Sequence, residues 1–227
     1  MYIDYYYIVL ILPCIILSSI AQMMVTSTFS KYSKLMSQRG FTGAQVARKI
    51  LDLNGLTHVT VEMVRGSLTD HYDPVKKVIR LSESVYSSSS VASLGVAAHE
   101  TGHAIQHNKK YLPLVFRRIL VPVANIGSSA GPWLAILGIV MSIPLLIDVG
   151  IVLFSAAVLF YLVTLPVEFN ASNRALKILK QNNVLSRDEL KGVKKVLSAA
   201  AMTYVASALV AMANFLRLVL ISRNRRR

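Results

Sequence analysis

A single cysteine, Cys14, stands among 227 residues. No internal disulfide can form, so the sequence offers no evidence of an oxidising compartment. Cys14 lies within an apolar run, where an inert thiol facing lipid or a neighbouring helix is the plain reading. Acidic residues are also scarce, with 11 Asp+Glu against 25 Lys+Arg and a net charge of +14. Such a surplus suits nucleic acid, anionic lipid or cytoplasmic anchoring. No nucleic-acid motif accompanies the bases, which speaks against the first. They cluster between apolar spans, as in the cytoplasmic loops of membrane proteins. The chain also lacks internal repeats and low-complexity linkers.

What it has in abundance is apolar sequence: 54% of residues are hydrophobic and the mean hydropathy is +0.51. That exceeds a typical soluble domain and points to membrane segments. Residues 5–24 carry no charge and are long enough to span a bilayer, with Tyr5, Tyr6 and Tyr7 suited to the interfacial belt. No basic stretch precedes this run, and it is long for a signal peptide, so residues 1–26 read as an uncleaved anchor. Residues 119–141 and 145–165 read as a helical hairpin turning at Ser142-Ile143-Pro144. Its small residues, Gly127 to Gly131 and Ser155 to Ala157, allow close packing in lipid. Pro166 is expected to end the second arm. A basic helical segment, 166–195, follows, and then an apolar stretch within 196–227, broken by Asn214 and Arg217 and ending in Arg225, Arg226 and Arg227.

The first polar region, 27–118, is the only one large enough to fold as a small domain. Thr42 is placed to cap a helix over 43–53, whose stripe is Val46, Ile50 and Leu53, with Asn54-Gly55 as the stop. Residues 57–64 alternate like a strand, with Val59, Val61 and Met63 on one face; 77–81 reads as a second strand, and Asp70 to Pro74 as a turn. Ser87 to Ser90 offer N-caps for a helix over 91–108. The expected fold is therefore α+β within a multi-pass, mainly helical membrane protein: a small region of helices and a short β-sheet carried by membrane spans.

Charge orients the spans. Residues 27–118 hold 13 Lys/Arg and 166–195 hold 7, whereas the hairpin between them holds none. The positive-inside tendency places both basic regions in the cytoplasm. If the last apolar stretch also spans, the terminal arginines fall outside, against that tendency; a stretch that stays at the cytoplasmic face or re-enters is the alternative.

Within the 91–108 helix lies His99-Glu100-Thr101-Gly102-His103, an H-E-x-x-H motif. Residues four apart share a helix face, so two imidazoles can grip one metal ion while the intervening Glu serves as a base. This is the layout of a zinc hydrolase. A third protein ligand is usual. Glu168 stands out, because the hairpin returns it to the side carrying His99 and His103, and His2Glu is a known peptidase set. His107, four residues past His103, is the rival, although steps of four drift by about 40° each around a helix. His71, between Asp70 and Asp73, is a weaker option that turn chemistry explains more simply. His58 carries no signal, and Asp148 lies at the far end of the hairpin. Asn170, Ser172 or Asn173 could orient a ligating imidazole, and Tyr204 or Arg174 could serve as an oxyanion donor. A strand edge at the cleft could hold extended peptide by main-chain bonds.

Asp70–Pro74, Arg80-Leu81-Ser82, Ala97–Gln106 and Pro166–Ala175 resemble the bacterial membrane zinc metallopeptidases called neutral zinc metallopeptidase type 2, or YugP-type. The likeness covers nearly the whole chain and the order of its spans. More distantly the chain resembles the HtpX and CAAX prenyl protease families, which also place H-E-x-x-H before a membrane hairpin and a ligating Glu after it. There an Asp follows that Glu by four residues; here the position is Ser172. The resemblance implies a gluzincin-type set, one Zn²⁺ held by His99, His103 and Glu168, with Glu100 as general base.

The expected function is that of a membrane-embedded zinc metalloendopeptidase, using a zinc-activated water on a protein or peptide substrate, at the cell membrane with its site toward the cytoplasm. Its expected partners are that substrate and membrane lipid, not nucleic acid. The rival classes are a non-catalytic zinc-binding or peptide-binding membrane scaffold, and a surface binder driven by charge. An intact Glu100 argues against the scaffold, since a structural zinc site needs no base.

Overall fold

The computed structural model describes residues 5–225; the terminal Arg226 and Arg227, and the first four residues of the expected anchor, lie outside that range. The chain is mostly helical with one small sheet. It comprises α1 (Leu12–Ser33, entered through a π-helical turn at Tyr7–Ile11), α2 (Gly43–Leu53), β1 (Thr60–Val64), β2 (His71–Asp73), β3 (Val78–Ser82), α3 (Glu83–Tyr86), α4 (Val91–Asn108), α5 (Leu112–Met141), α6 (Pro144–Gln181) and α7 (Arg187–Arg225). These divide into two compact units.

One unit comprises residues 23–111 and 167–201. α2 begins where its cap allows. Thr42 Oγ1 accepts from the Gln45 N–H at 3.3 Å, and the Gln45 side chain accepts from the Thr42 N–H at 2.9 Å, a reciprocal capping box. The helix buries Val46, Ala47, Ile50 and Leu51 completely, whereas Leu53, expected in the stripe, is 56% exposed. Those side chains join Ile79, Leu81, Leu94, Ala175, Leu179, Val193 and Leu197 in one core, so α2, β3, α4, α6 and α7 converge on it. α4 starts at Ser90, whose hydroxyl accepts from the Ser93 N–H at 3.2 Å.

The sheet has three strands, ordered β1-β3-β2, with β1 parallel and β2 antiparallel to β3. Two strands are expected from the alternation, and β2 falls in the expected turn at 70–74. Three residues are too few to alternate visibly. Main-chain pairing with β3 forms the strand, and side chains reinforce it: the Asp70 carboxylate accepts from the Ser82 N–H at 2.7 Å, and Arg80 pairs with Asp73 at 3.2 Å. Burial raises the pKa of Asp70, against the bonds from Ser82 that lower it. Met63, expected on one face of β1 with Val59 and Val61, is 55% exposed. β1 is an edge strand, and the core reaches Val61 but not Met63.

The other unit comprises, among the described residues, 5–22, 112–166 and 202–225. It shows the inverted burial of a bundle built for lipid. Small residues lie inside, while Ile16, Trp133, Leu145 and Val152 face out. A side chain at Gly127 would strike the Leu153 carbonyl oxygen, and one at Gly150 the Ala135 nitrogen, so these glycines let the hairpin arms close on each other. The two arms are α5 and the first part of α6. The helix run Tyr7–Ser33, α5, α6 and α7 are each long and apolar enough to cross a membrane.

One expected break is absent. Pro166 does not end α6, which runs on to Gln181. A proline removes one helical hydrogen bond, but the turns beyond it bury Val167, Ala171, Ala175 and Leu179 completely, and that packing carries the helix through. The break falls later, at 182–186, where Asn183 takes φ +50° and Ser186 caps α7 with Glu189. The basic segment expected as one helix is therefore the end of α6 and the start of α7. Asn214 and Arg217, which interrupt the last apolar stretch, lie within the continuous helix α7. The Asn214 amide donates to the Val210 carbonyl at 2.9 Å, and the Arg217 guanidinium lies 5.4 Å from the Tyr7 ring centroid. Asn224 donates to the Tyr6 hydroxyl at 2.7 Å, so the end of α7 lies beside the start of the first helix.

Candidate metal centre

α4 and α6 build the site within the first unit. Their backbones touch at Gly102, where an added Cβ would come within 2.7 Å of the Ala171 carbonyl oxygen. Any larger residue would wedge the helices apart. Glu168 lies one turn before Ala171, so this contact sets it against the imidazoles of His99, one turn before Gly102, and His103, the residue after it.

The donor atoms converge. His99 Nε2 lies 3.3 Å from Glu168 Oε2, His103 Nε2 lies 3.6 Å from the same oxygen, and the two Nε2 atoms are 3.2 Å apart. Around a tetrahedral zinc with ligands about 2.0–2.1 Å away, neighbouring ligand atoms are roughly 3.3–3.4 Å apart. The triangle of two nitrogens and one carboxylate oxygen thus matches one face of such a tetrahedron. The donor types fit as well, since imidazole and carboxylate are common zinc ligands. Among the described residues no fourth His, Cys, Asp or Glu ligand atom joins the group.

Glu168 is buried at 3% exposure and Glu100 at 8%. Burial disfavours the charged form of His103, but Glu168 and the charge of Glu100 outweigh it and raise the pKa of His103. Glu100 therefore lies within electrostatic reach of the donors.

The outer contacts are only partly those expected. Ser172 Oγ lies 3.1 Å from His99 Nδ1, so one of the three residues expected to orient a ligating imidazole reaches it. His103 Nδ1 meets Gln106 Oε1 at 3.0 Å. Gln106 is not in the expected set, although its position three residues after His103 places it on the same helix face. Asn170 acts one step further out, accepting from Gln106 at 3.0 Å and from Arg174 Nε at 2.6 Å. Asn173 is exposed. Arg174, an expected oxyanion donor, is engaged with Asn170 and with the Tyr111 ring, 6.0 Å from its centroid. Tyr204 belongs to the other unit. His107 is not among the converging donors; its Nδ1 lies 2.9 Å from the Tyr72 hydroxyl on β2. His71 Nδ1 lies 2.8 Å from the Thr69 carbonyl oxygen, a local turn contact.

A helix pair presenting two imidazoles and a buried carboxylate, carried by a chain with membrane-length helices, defines the class. The family model described as "Putative neutral zinc metallopeptidase" matches residues 7–223, and the chain belongs to that family. Over 220 residues it is 51% identical to the "Putative membrane protease YugP" of Bacillus subtilis (strain 168), covering 97% of this chain and 98% of that one. No solved structure matches.

Proposed function

We propose that this protein is a membrane-embedded zinc metalloendopeptidase, with one zinc held by His99, His103 and Glu168 and with Glu100 as general base. The observation that carries this reading is the triangle of donor atoms at 3.2, 3.3 and 3.6 Å, drawn from two helices far apart in sequence. Bound there, zinc supplies Lewis acidity, which makes water a stronger acid and a scissile carbonyl a better electrophile. Glu100 takes a proton from the attacking water and passes it to the leaving amine nitrogen, so each turnover restores its carboxylate. His99, His103 and Glu168 stay in place throughout and take no part in that proton transfer. Three protein ligands leave a coordination position open, which is the arrangement of a catalytic and not a structural zinc site.

The test uses the full-length protein in detergent. Preparations are expected to contain one zinc per chain by elemental analysis and to cleave a protein substrate from the bacterial membrane fraction. A chelator should abolish cleavage, and added zinc should restore it. Cleavage that survives complete removal of zinc would sink this reading.

The site faces the cytoplasm in this proposal, on parity and charge. With four spans, residues 27–118 and 166–195 lie on one side of the membrane, and they carry 13 and 7 bases. The return of α7 to Tyr6 supports a full fourth crossing over a re-entrant one. In a Cys14→Ser background, cysteines replacing Ser88 and Asn182 should resist an impermeant thiol reagent in intact cells and react after permeabilisation. One replacing Ser142, in the hairpin turn, should react in intact cells. Reaction at Ser88→Cys with Asn182→Cys protected would separate the ligands across the membrane and end the site model.

A further inference from the structure

The amide of Gln106, fully buried on α4, is oriented by its neighbours alone. One end lies 2.8 Å from the Val167 carbonyl oxygen, which can only accept, so that end is the NH₂ group. The same end meets an Asn170 amide atom at 3.0 Å. That atom is independently fixed as oxygen, because Arg174 Nε, which can only donate, lies 2.6 Å from it. The other end of Gln106 is therefore its oxygen, and it faces His103 Nδ1 at 3.0 Å. An amide oxygen cannot donate, so the proton of this contact sits on Nδ1. A neutral imidazole protonated there presents its lone pair at Nε2, the atom facing His99 Nε2 and Glu168 Oε2.

His99 has no comparable lock. Its Nδ1 faces the Ser172 hydroxyl, which can donate or accept. The two imidazoles are thus held differently. Gln106 also reaches the carbonyl of the residue next to Glu168, so a single amide spans the two helices that supply the donors. Arg174 steadies the far end through Asn170, with its guanidinium against the Tyr111 ring.

We propose that Gln106 is the positioning residue of the metal centre, holding His103 in the tautomer that offers Nε2 to a cation and tying that imidazole to the backbone beside Glu168. This rests on the reading of His99, His103 and Glu168 as zinc ligands.

Two measurements on the full-length protein in detergent test it. The first is zinc affinity, by competition with a chelator, for wild type, Gln106→Met and Glu168→Ala. Methionine keeps the length of Gln106 and removes all three hydrogen bonds of its amide, so affinity is expected to fall roughly 10–100-fold, the usual loss when an outer partner of a ligating histidine is removed. Unchanged affinity in Gln106→Met overturns the proposal. The second is the ¹⁵N spectrum of histidine side chains in zinc-free protein at alkaline pH, with His103 assigned by its loss in His103→Asn. Wild-type His103 should carry its proton on Nδ1, and Gln106→Met should lose that fixed tautomer. A proton on Nε2 in the wild type overturns the proposal whether or not Gln106→Met folds. Full zinc retention in Glu168→Ala instead counts against the ligand set, and the spectrum still decides the role of Gln106.

Discussion

Glu100→Gln is expected to keep its zinc and lose peptidase activity by about 10²–10⁴-fold, the usual contribution of a general base. Glutamine matches glutamate in volume, which matters at a position only 8% exposed. Its amide cannot accept the proton of the attacking water at neutral pH, nor return one to the leaving amine. Glu100 is not among the converging donor atoms, so zinc content should not fall with activity. The mutant loses a negative charge near His103, where Glu100 helps raise the pKa, and that effect leaves the lone-pair form of the imidazole more available, not less. Zinc by elemental analysis and turnover of a common substrate, measured on the same preparations, separate the two properties. Cleavage by Glu100→Gln at the wild-type rate would remove Glu100 from the mechanism. Loss of zinc together with activity would make it part of the metal-holding structure.

The parts of this fold that were legible beforehand are those whose signal is local. α2 and α4 have the expected bounds because their caps lie within four residues of the helix start: Thr42 with Gln45, and Ser90 with Ser93. The spacing of His99 and His103 needs only the pitch of a helix. The parts that differ from the expectation depend on distant partners. β2 exists through Ser82 and Arg80, about ten residues away, and no alternation over three residues announces that. α6 passes Pro166 because Val167, Ala171, Ala175 and Leu179 find a core that the local sequence does not display. Leu53 and Met63 share a periodicity with buried neighbours, yet they lie beyond the reach of that core. The approach of Glu168 to His99 and His103 follows from topology, since a hairpin must return. Gln106 is hard to single out, because the acceptors of its NH₂ group lie 61 and 64 residues away, while its helical spacing from His103 is the available clue.

Glu168→Ala is expected to remove most of the bound zinc, a larger loss than the roughly 10–100-fold attributed to an outer partner, while His107→Ala leaves zinc content unchanged. The contrast follows from geometry. Glu168 Oε2 is 3.3 and 3.6 Å from the two Nε2 atoms and supplies the only negative charge in the donor triangle. Without it, two neutral imidazoles remain, one ligand short of the usual catalytic set. His107 shares the helical spacing that made it a rival, but its ring is turned to Tyr72 on β2. Glu168→Gln separates charge from shape, because an amide of equal volume can still touch the metal but is a far weaker ligand. It should lose zinc nearly as Glu168→Ala does, with helical content and zinc-free thermal stability closer to wild type. Full zinc occupancy in Glu168→Ala, or equal losses in Glu168→Ala and His107→Ala, would show that the third ligand lies elsewhere. The triangle would then be an ion pair of protonated histidine and buried carboxylate.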